Sequence, residues 1–272
     1  MAFPEFDPIA FRVGPLAVHW YGLAYVTTFV LCVLIARWLV RRWRIAIDDD
    51  DLLSILLAAV VGVIVGGRLG YVLVYGGGYY FSNPADLFAV WYGGMSFHGG
   101  LVGIMLAGIV VARQMGIPVL TLWDLGAVGA PTGVLLGRLA NFVNGELWGR
   151  VTDAPWGIVF PGAGQLPRHP SQLYEALLEG AVILAVMLVL AAKTPPRPRG
   201  ELVGWLLAMY GTFRIVAEMF REPDAQLGFI AGDWATMGML LSVPMVFAGA
   251  AMIRWARRAT LPQAGRSAPR SG

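Results

Sequence analysis

The amino-acid sequence predicts an all-α, polytopic membrane protein, a seven-transmembrane helical bundle with an interfacial segment on its outer side. Hydrophobic residues make up 57% of the 272 residues and charged residues only 14%, against roughly 25% charged in an ordinary soluble domain. Glycine contributes 35 residues, about twice its usual share, as expected where helices pack closely in lipid. Apolar stretches of about 20 residues, the length that crosses a bilayer, recur along the chain.

Seven of these stretches are predicted to be the transmembrane helices. Their approximate bounds are 16–40, 52–75, 97–112, 119–143, 171–192, 202–220 and 237–255. Between the second and the third, an aromatic and glycine-rich segment is predicted to lie at the outer interface. We take residues 1–258 as a single membrane domain and predict that residues 259–272 form a disordered cytoplasmic tail.

Basic residues predict the orientation of the helices, because cytoplasmic loops of membrane proteins carry an excess of Lys and Arg. When the loops are assigned alternately to the two sides, most of the 20 Lys and Arg residues fall on the side of the C-terminal tail. The other side carries only Arg12, Arg150, Arg168 and Arg221. The sequence therefore predicts a cytoplasmic C-terminus and an N-terminus on the outer side.

Two other classes of function receive little support. The single cysteine, Cys32, excludes a disulfide framework and a cysteine-based metal cluster. The Lys and Arg residues do not form a cluster interleaved with aromatic residues, which argues against nucleic-acid binding. The aspartates at 48–51 have the composition of an acidic metal site, but we interpret them as the solvated start of a helix, where carboxylates cap free N–H groups.

Three arginines, Arg68, Arg138 and Arg214, fall inside the predicted membrane-spanning stretches. Each costs at least about 2.5 to 3.5 kcal/mol at mid-membrane depth, so it needs a partner or access to water. Arg214 and Glu218 are four residues apart, and Arg221 follows one turn further on, so the three share one helical face. This face is expected to point into the bundle.

A second polar face lies on the fourth stretch. Arg138, Asn141 and Asn144 recur every three residues, and Glu146 follows just beyond them. Residues at this spacing lie on one side of a helix. The sequence thus predicts two inward polar faces, on the fourth and the sixth stretches.

The polar faces have two interpretations. In the first, they form interhelical ion pairs and amide hydrogen bonds that only hold the bundle together. In the second, they bind an anion, since guanidinium groups bind phosphate through a planar fork of donors. Several arginines in the outer half of a bilayer favour a phospholipid headgroup. Transport of a lipid or a soluble anion stays open, although we find no repeated halves of the kind common in transporters.

His98 has two interpretations as well. It lies in the run SFHGG at the outer end of the third stretch, where glycines permit close approach of the backbone. An imidazole there is able to take a proton near neutral pH. The alternative is a hydrogen-bonded histidine at the membrane interface, and the residues alone leave both open.

Six blocks of sequence, in the same order along the chain, resemble the bacterial prolipoprotein diacylglyceryl transferase family. They are HWYGL at 19–23, GGRLGYVL at 66–73, GGMSFHGGL at 93–101, GRLANFVNGELWGR at 137–150, RHPSQLYEALLEG at 168–180 and FRIVAEMFREPDAQ at 213–226. The blocks reach every predicted span except the last. Because they are ordered and numerous, the resemblance covers the whole chain.

This resemblance implies an enzyme of the bacterial inner membrane, with seven spans, a periplasmic N-terminus and a site on the periplasmic side. Family members transfer the diacylglyceryl group of phosphatidylglycerol to the thiol of a lipobox cysteine in a prolipoprotein, forming a thioether and releasing glycerol phosphate. The implied partners are phosphatidylglycerol, the signal peptide with its lipobox, and membrane lipids, without nucleic acid. No cofactor and no metal is implied.

The resemblance also implies the residues that matter for the reaction. Carried over by motif, they are Tyr21, His98, Arg138, Asn141, Glu146, Gly149, Arg214 and Glu218. Arg138 and Arg214 are expected to hold the phosphate, with Glu218 fixing the fork of Arg214. Asn141 and Tyr21 are expected to hydrogen-bond the headgroup, and Arg68 and Glu146 to orient the groups that do so. His98 is the expected base, unless an electropositive pocket alone generates enough thiolate.

Overall fold

Seven long helices make up most of the computed structural model, which describes residues 1–4, 6–90, 93–223, 228–232 and 234–266. The helices are α1 (Trp20–Trp43), α2 (Asp49–Tyr75), α3 (Phe97–Met115), α4 (Val119–Val143), α5 (Ser171–Ala191), α6 (Glu201–Glu218) and α7 (Met237–Ala259). Two short helical turns, Tyr79–Ser82 and Pro84–Phe88, follow α2. The prediction of a mainly helical chain is therefore confirmed.

Six helices, α1 to α5 and α7, are long and apolar enough to cross a membrane within the described part of the chain. An all-α polytopic membrane protein fits this finding, whereas the count of seven spans is not confirmed. The helix in question, α6, has 18 residues and carries Glu201, Arg214 and Glu218. These three charged residues lower the mean hydropathy of α6.

The start of the first predicted span is wrong, because residues 16–19 form a strand. Strand β1 (Ile9–Val13) pairs in antiparallel fashion with β2 (Leu16–His19), with Val13 opposite Leu16. Gly14, at a φ of +58°, makes the tight turn between them. This hairpin is local, so its apolar residues look like part of a helix when only hydropathy is considered.

The chain divides into two compact units, and the single membrane domain over residues 1–258 stays a prediction. The first unit contains Met1–Trp43 and Asp124–Gln263, and the second contains Arg44–Trp123 and Ala264–Gly272. Residues 267–272 lie outside the described residues. The described part of the predicted disordered tail is hydrogen-bonded, since the Leu261 carbonyl accepts from Arg199 N at 2.8 Å and Arg266 N donates to the Ala46 carbonyl at 2.9 Å.

In the second unit, α2 and α3 approach closely through glycines. A Cβ added to Gly62 would lie 2.6 Å from the carbonyl oxygen of Gly103, so only a residue without a side chain fits. The start of α2 confirms the interpretation of the aspartates as a helix cap. Asp48 accepts from Asp51 N at 2.8 Å, and the Asp51 carboxylate accepts from Asp48 N at 3.2 Å.

In the first unit, α5 is interrupted by a π-helical segment, Ala176–Val182. Such segments are rare, cost hydrogen-bond quality and occur frequently at functional sites. Gly180 lies within the segment, and a Cβ there would lie 2.7 Å from the Cα of Leu135 on α4. The close packing of α4 against α5 brings their polar faces together.

Candidate functional site

A buried carboxylate, Glu175 on α5, is the centre of a cluster of three arginines. One oxygen, Oε2, lies 2.6 Å from Nη1 of Arg214, 2.9 Å from Nη2 of Arg138 and 3.4 Å from Nη1 of Arg221. The Glu175 side chain is 0% exposed. A single anionic oxygen therefore holds three guanidinium groups: one from α4, one from α6 and one from just after the end of α6. We call these four residues the arginine cluster.

Arg214 has two further carboxylate neighbours. Its Nη2 pairs with Oε1 of Glu218, the partner expected from their spacing on α6. Its Nη1 lies 3.6 Å from Oε1 of Glu179, one π-helical turn beyond Glu175. Thr236 fixes the other oxygen of Glu218 by donating to Oε2 at 2.7 Å. Charged hydrogen bonds of this kind are short and directional, so the guanidinium plane of Arg214 is held on three sides.

The polar face of α4 continues from Arg138 as a chain of hydrogen bonds. Arg138 Nη1 donates to Oδ1 of Asn141 at 3.4 Å, and Asn141 Nδ2 donates to Oε1 of Glu146 at 2.8 Å. Asn144 Nδ2 reaches the same Glu146 oxygen at 3.3 Å. The residues that the sequence placed on one face of α4 are thus linked to the arginine cluster.

The first turn of α5 holds the turn that follows α4. Gln172 Nε2 donates to the Glu146 carbonyl at 2.6 Å, and Ser171 Oγ donates to the Leu147 carbonyl at 3.0 Å. Leu147 has a φ of 58°, a left-handed conformation that costs energy for a residue with a branched side chain. The side chains of α5 thus stabilise a strained turn next to the cluster.

Gly149 lies where three backbone segments cross. Its N donates to the His169 carbonyl at 2.8 Å, and the next residue, Arg150, donates from N to the Phe220 carbonyl at 2.9 Å. A Cβ on Gly149 would overlap the Phe220 carbonyl and lie 2.7 Å from that of His169. Glycine is required by this close approach of backbones.

Arg150 connects these segments to the end of α6. Its Nη2 donates to the Glu218 carbonyl at 3.1 Å, and its Nε donates to the Arg221 carbonyl at 2.9 Å. These bonds satisfy carbonyls that a helix leaves unpaired at its C-terminus. The loop around Gly149 therefore sets the position of the helix end that carries Glu218.

His169 orders the same loop. Its ring packs 5.2 Å from that of Phe220, and its Nδ1 lies 3.1 Å from the Tyr174 hydroxyl. Burial lowers the pKa of His169 below its usual value. These contacts hold the chain that leads into α5.

Tyr21 borders a cavity of about 390 Å³ in the first unit. The lining residues are mostly aromatic or apolar, with three polar members: Phe3, Phe6, Pro8, His19, Tyr21, Val143, Asn144 and Pro161. Asn144 belongs also to the hydrogen-bond chain that ends at Glu146. The structure thus relates Tyr21 to the polar face of α4 through this shared residue.

Arg68 and His98 belong to the second unit. The Arg68 guanidinium donates to backbone carbonyls of the segment between α2 and α3, from Nε to Leu87 at 2.9 Å and from Nη1 to Gly93 at 2.8 Å. It therefore orders that segment, of which residues 91 and 92 lie outside the described residues. His98 is exposed in the first turn of α3, with its ring 5.6 Å from that of Phe97.

The central carboxylates of the cluster were not predicted from the sequence. Glu175 and Glu179 received no role in the site, whereas Arg221 was expected on the helical face of Arg214 and Glu218 and was also counted with the basic residues of the outer side. A signal was available, because Gln172, Glu175 and Glu179 follow at spacings of three and four, which is one helical face. All three are 0% exposed, and carboxylates inside an apolar span are costly without a partner.

A second ion-pair cluster provides a comparison within the same helix. Glu201, at the start of α6, is 1% exposed and pairs with Arg197 at 2.9 Å and Arg257 at 3.0 Å. It lies 13 residues before Arg214, about 20 Å along the helix. We call it the Glu201 cluster.

The arginine cluster is suited to bind a phosphate ester. The side chains of Arg138 and Arg214 keep 19% and 13% of their surface exposed, although their carboxylate partner is buried. Two guanidinium groups bound to one oxygen converge, and each carries five N–H donors. Donors left over from the ion pairs are thus available to an anion at the exposed side.

The chain is similar to a known protein family over most of its length. The family model for prolipoprotein diacylglyceryl transferase matches residues 8–255 of the chain. A phosphatidylglycerol–prolipoprotein diacylglyceryl transferase of Geobacter sulfurreducens is 52% identical over 254 residues, which is 93% of this chain and 96% of that protein.

Two further relatives with the same name give similar values. The protein of Brucella anthropi is 51% identical over 257 residues, covering 92% of this chain and 91% of its own length. That of Oleidesulfovibrio alaskensis is 48% identical over 260 residues, covering 94% and 95%. The similarity therefore extends over almost the full length of all the chains compared.

Proposed function

The chain belongs to the prolipoprotein diacylglyceryl transferase family, and we propose that it modifies lipobox cysteines with the lipid of phosphatidylglycerol. In this reaction the cysteine sulfur attacks a glycerol carbon of the lipid. A carbon–sulfur bond forms, the carbon–oxygen bond to phosphate breaks, and glycerol phosphate leaves with the electron pair. The observation that carries the proposal is the convergence of Arg138 and Arg214 on Glu175.

The two arginines are proposed to bind the phosphate and stabilise it as it leaves. Negative charge on the phosphate oxygens increases in the transition state, and donors already fixed in position stabilise that charge without reorganising. Glu175 and Glu218 fix the position of the Arg214 guanidinium, since they pair with it from both sides. We propose that Asn141 and Tyr21 hydrogen-bond the headgroup and that Glu146 orients Asn141, and the 2.8 Å hydrogen bond from Asn141 Nδ2 to Glu146 supports the last of these roles.

A coupling measurement tests the role of Glu218. The variants Arg214→Gln and Glu218→Gln are each expected to slow transfer, and the double variant to be little slower than Arg214→Gln alone. The expected coupling is about 1 to 3 kcal/mol, because Glu218 acts through the guanidinium it holds. The rates are measured with purified protein in lipid nanodiscs. Additive effects would reject the coupling, and the pair Arg197 and Glu201 serves as the control that leaves transfer unaffected.

The thiol proton is proposed to go to His98, an assignment that derives from the family resemblance. His98→Gln is expected to remove the acid-side limb of the pH–rate profile, because an imidazole must be neutral to accept a proton and glutamine does not titrate. The profile of kcat/KM against pH is the measurement. His169→Gln is the control that keeps the limb. An acid limb that persists in His98→Gln would mean that the pocket itself generates the thiolate.

The placement in the membrane is also part of the proposal. We propose that α6 crosses the bilayer as a seventh span, with its charged face turned to the arginine cluster, so that the termini lie on opposite sides. The excess of basic residues near the C-terminus supports a cytoplasmic C-terminus and a periplasmic N-terminus in the inner membrane. The arginine cluster would then meet phosphatidylglycerol and the signal peptide from the periplasmic half of the bilayer.

Mass spectrometry tests the function directly. The purified protein is incubated with phosphatidylglycerol and a synthetic peptide that contains a lipobox cysteine. The expected product is the peptide with one added diacylglyceryl group on sulfur, together with one equivalent of glycerol phosphate. A peptide of unchanged mass, with lipid moved between the leaflets of a vesicle, would indicate a transporter instead.

A further inference from the structure

Glu179 is the least satisfied charged group beside the arginine cluster. Its side chain is 0% exposed, and neither Oε1 nor Oε2 accepts a hydrogen bond from any residue that the structure describes. Its nearest cation is Nη1 of Arg214, at 3.6 Å. Buried polar atoms are nearly always hydrogen-bonded, and a native structure that leaves some unpaired needs a reason.

Charge compensation of Arg214 does not supply the reason. Arg214 already pairs with Glu175 at 2.6 Å and with Glu218. Burying a third carboxylate costs more free energy than a third, longer contact returns. Glu179 helps to balance the charge of three arginines that share one oxygen of Glu175, but this charge balance leaves both of its own oxygens without a hydrogen-bond donor among the described residues.

Unpartnered acceptors extend along the face of α5 that contains Glu179. Oε1 of Glu175 and Oε1 of Gln172 also accept no hydrogen bond within the described ranges, although each residue uses its other polar atom. Both side chains are 0% exposed. This face of α5 therefore presents four buried acceptor atoms that lack a hydrogen-bond donor in the described part of the chain.

The missing donors are expected to be neutral. A further ammonium or guanidinium group would come close to Arg214 and Arg138, which already occupy the site, and like charges repel in a medium of low dielectric constant. Hydroxyl groups donate hydrogen bonds without adding charge. A ligand with an anionic phosphate and nearby hydroxyls fits both parts of the site.

We propose that Glu179 is a specificity-determining residue that accepts hydrogen bonds from the headgroup hydroxyls of a polyol phospholipid. This inference rests on the proposed function, because it needs the phosphate of phosphatidylglycerol on Arg138 and Arg214. The terminal glycerol of that lipid then extends past Arg214 towards α5. The π-helical segment Ala176–Val182 sets the position of Glu179 on that path.

A lipid that lacks only the hydroxyls tests the proposal. Phosphatidylpropanol keeps the phosphodiester and the three-carbon headgroup but has no hydroxyl donor. The native protein is expected to transfer diacylglyceryl from phosphatidylglycerol at least about tenfold faster than from phosphatidylpropanol, as hydrogen bonds to a charged acceptor suggest. In Glu179→Gln the ratio of the two rates is expected to fall towards one, mainly through loss of rate with phosphatidylglycerol.

Glu201→Gln is the matched control, because it also neutralises a buried carboxylate on the ion-paired face of a helix. It is expected to leave the ratio unchanged, even if the protein is less stable. If Glu179→Gln transfers from neither lipid, competition between the two lipids for binding is measured instead, and the preference for phosphatidylglycerol is expected to be lost.

The outcomes separate this inference from the proposed function. A native protein that transfers from both lipids at equal rates, or a Glu179→Gln variant with an undiminished preference in rate or binding, would overturn the role of Glu179 and leave the transferase function intact. A native protein that transfers from neither lipid would overturn the function itself.

Discussion

Arg138→Ala is expected to reduce the transfer of diacylglyceryl from phosphatidylglycerol to a lipobox peptide by about 1000-fold. The loss of one preorganised donor to a developing oxyanion typically costs two to three powers of ten, and Arg138 contributes several donors. The fold should survive, because Glu175 keeps Arg214 at 2.6 Å and Arg221 at 3.4 Å when Arg138 is removed. The measurement is the turnover rate in nanodiscs, together with the thermal unfolding curve.

Arg197→Ala is the matched control for this prediction. It also removes one arginine from a buried carboxylate that keeps another, since Glu201 stays paired with Arg257. Its transfer rate should remain close to that of the native protein. Near-normal turnover in Arg138→Ala would show that Arg138 does not bind the phosphate.

Gly149→Ala is expected to destabilise the protein by about 3 kcal/mol, at the upper end for an added methyl group in a packed site. The added Cβ overlaps the Phe220 carbonyl and lies 2.7 Å from the His169 carbonyl. Neither backbone moves without shifting the end of α6, to which Arg150 is hydrogen-bonded. Because small displacements of binding groups cost about 100-fold in rate, transfer should fall by a similar factor.

Thermal unfolding and turnover in the same preparation check this prediction. Gly126→Ala on α4 is the control, since a Cβ at Gly126 meets no atom within 4 Å. A methyl group in that open position should be neutral or slightly stabilising, as expected for alanine in place of glycine within a helix. If Gly149→Ala matches Gly126→Ala in both stability and rate, the close crossing at Gly149 is not important for the site.

The sequence predicted the polar contacts that lie within one helix or just beyond it. Arg214 and Glu218 are one turn apart, and Arg138 and Asn141 are three residues apart, so helical periodicity alone places each pair on a face. The two contacts are present in the structure. Asp48 and Asp51 form the predicted helix cap for the same local reason.

The contacts between helices were not predicted from the sequence. Glu175 and Arg138 are 37 residues apart, and nothing in the periodicity of α4 or α5 says which face of one meets which face of the other. Arg68 shows the same limit, since hydropathy marked it as a buried cation but not as a donor to the carbonyls of the segment between α2 and α3. The strand Leu16–His19 was not predicted for a related reason, because its apolar residues fit a membrane-spanning helix as well as a hairpin.

Hydropathy, local spacing and ordered motifs are properties of short stretches of chain. They were sufficient to predict a helical membrane protein with arginines inside its apolar stretches and to indicate a family of lipid-transferring enzymes. By contrast, the binding of three arginines by Glu175 and the unpartnered acceptors of Glu179 became apparent only once the helices were packed together. Those facts depend on how α4, α5 and α6 pack, and packing is set by the summed shape and charge of residues far apart in the chain.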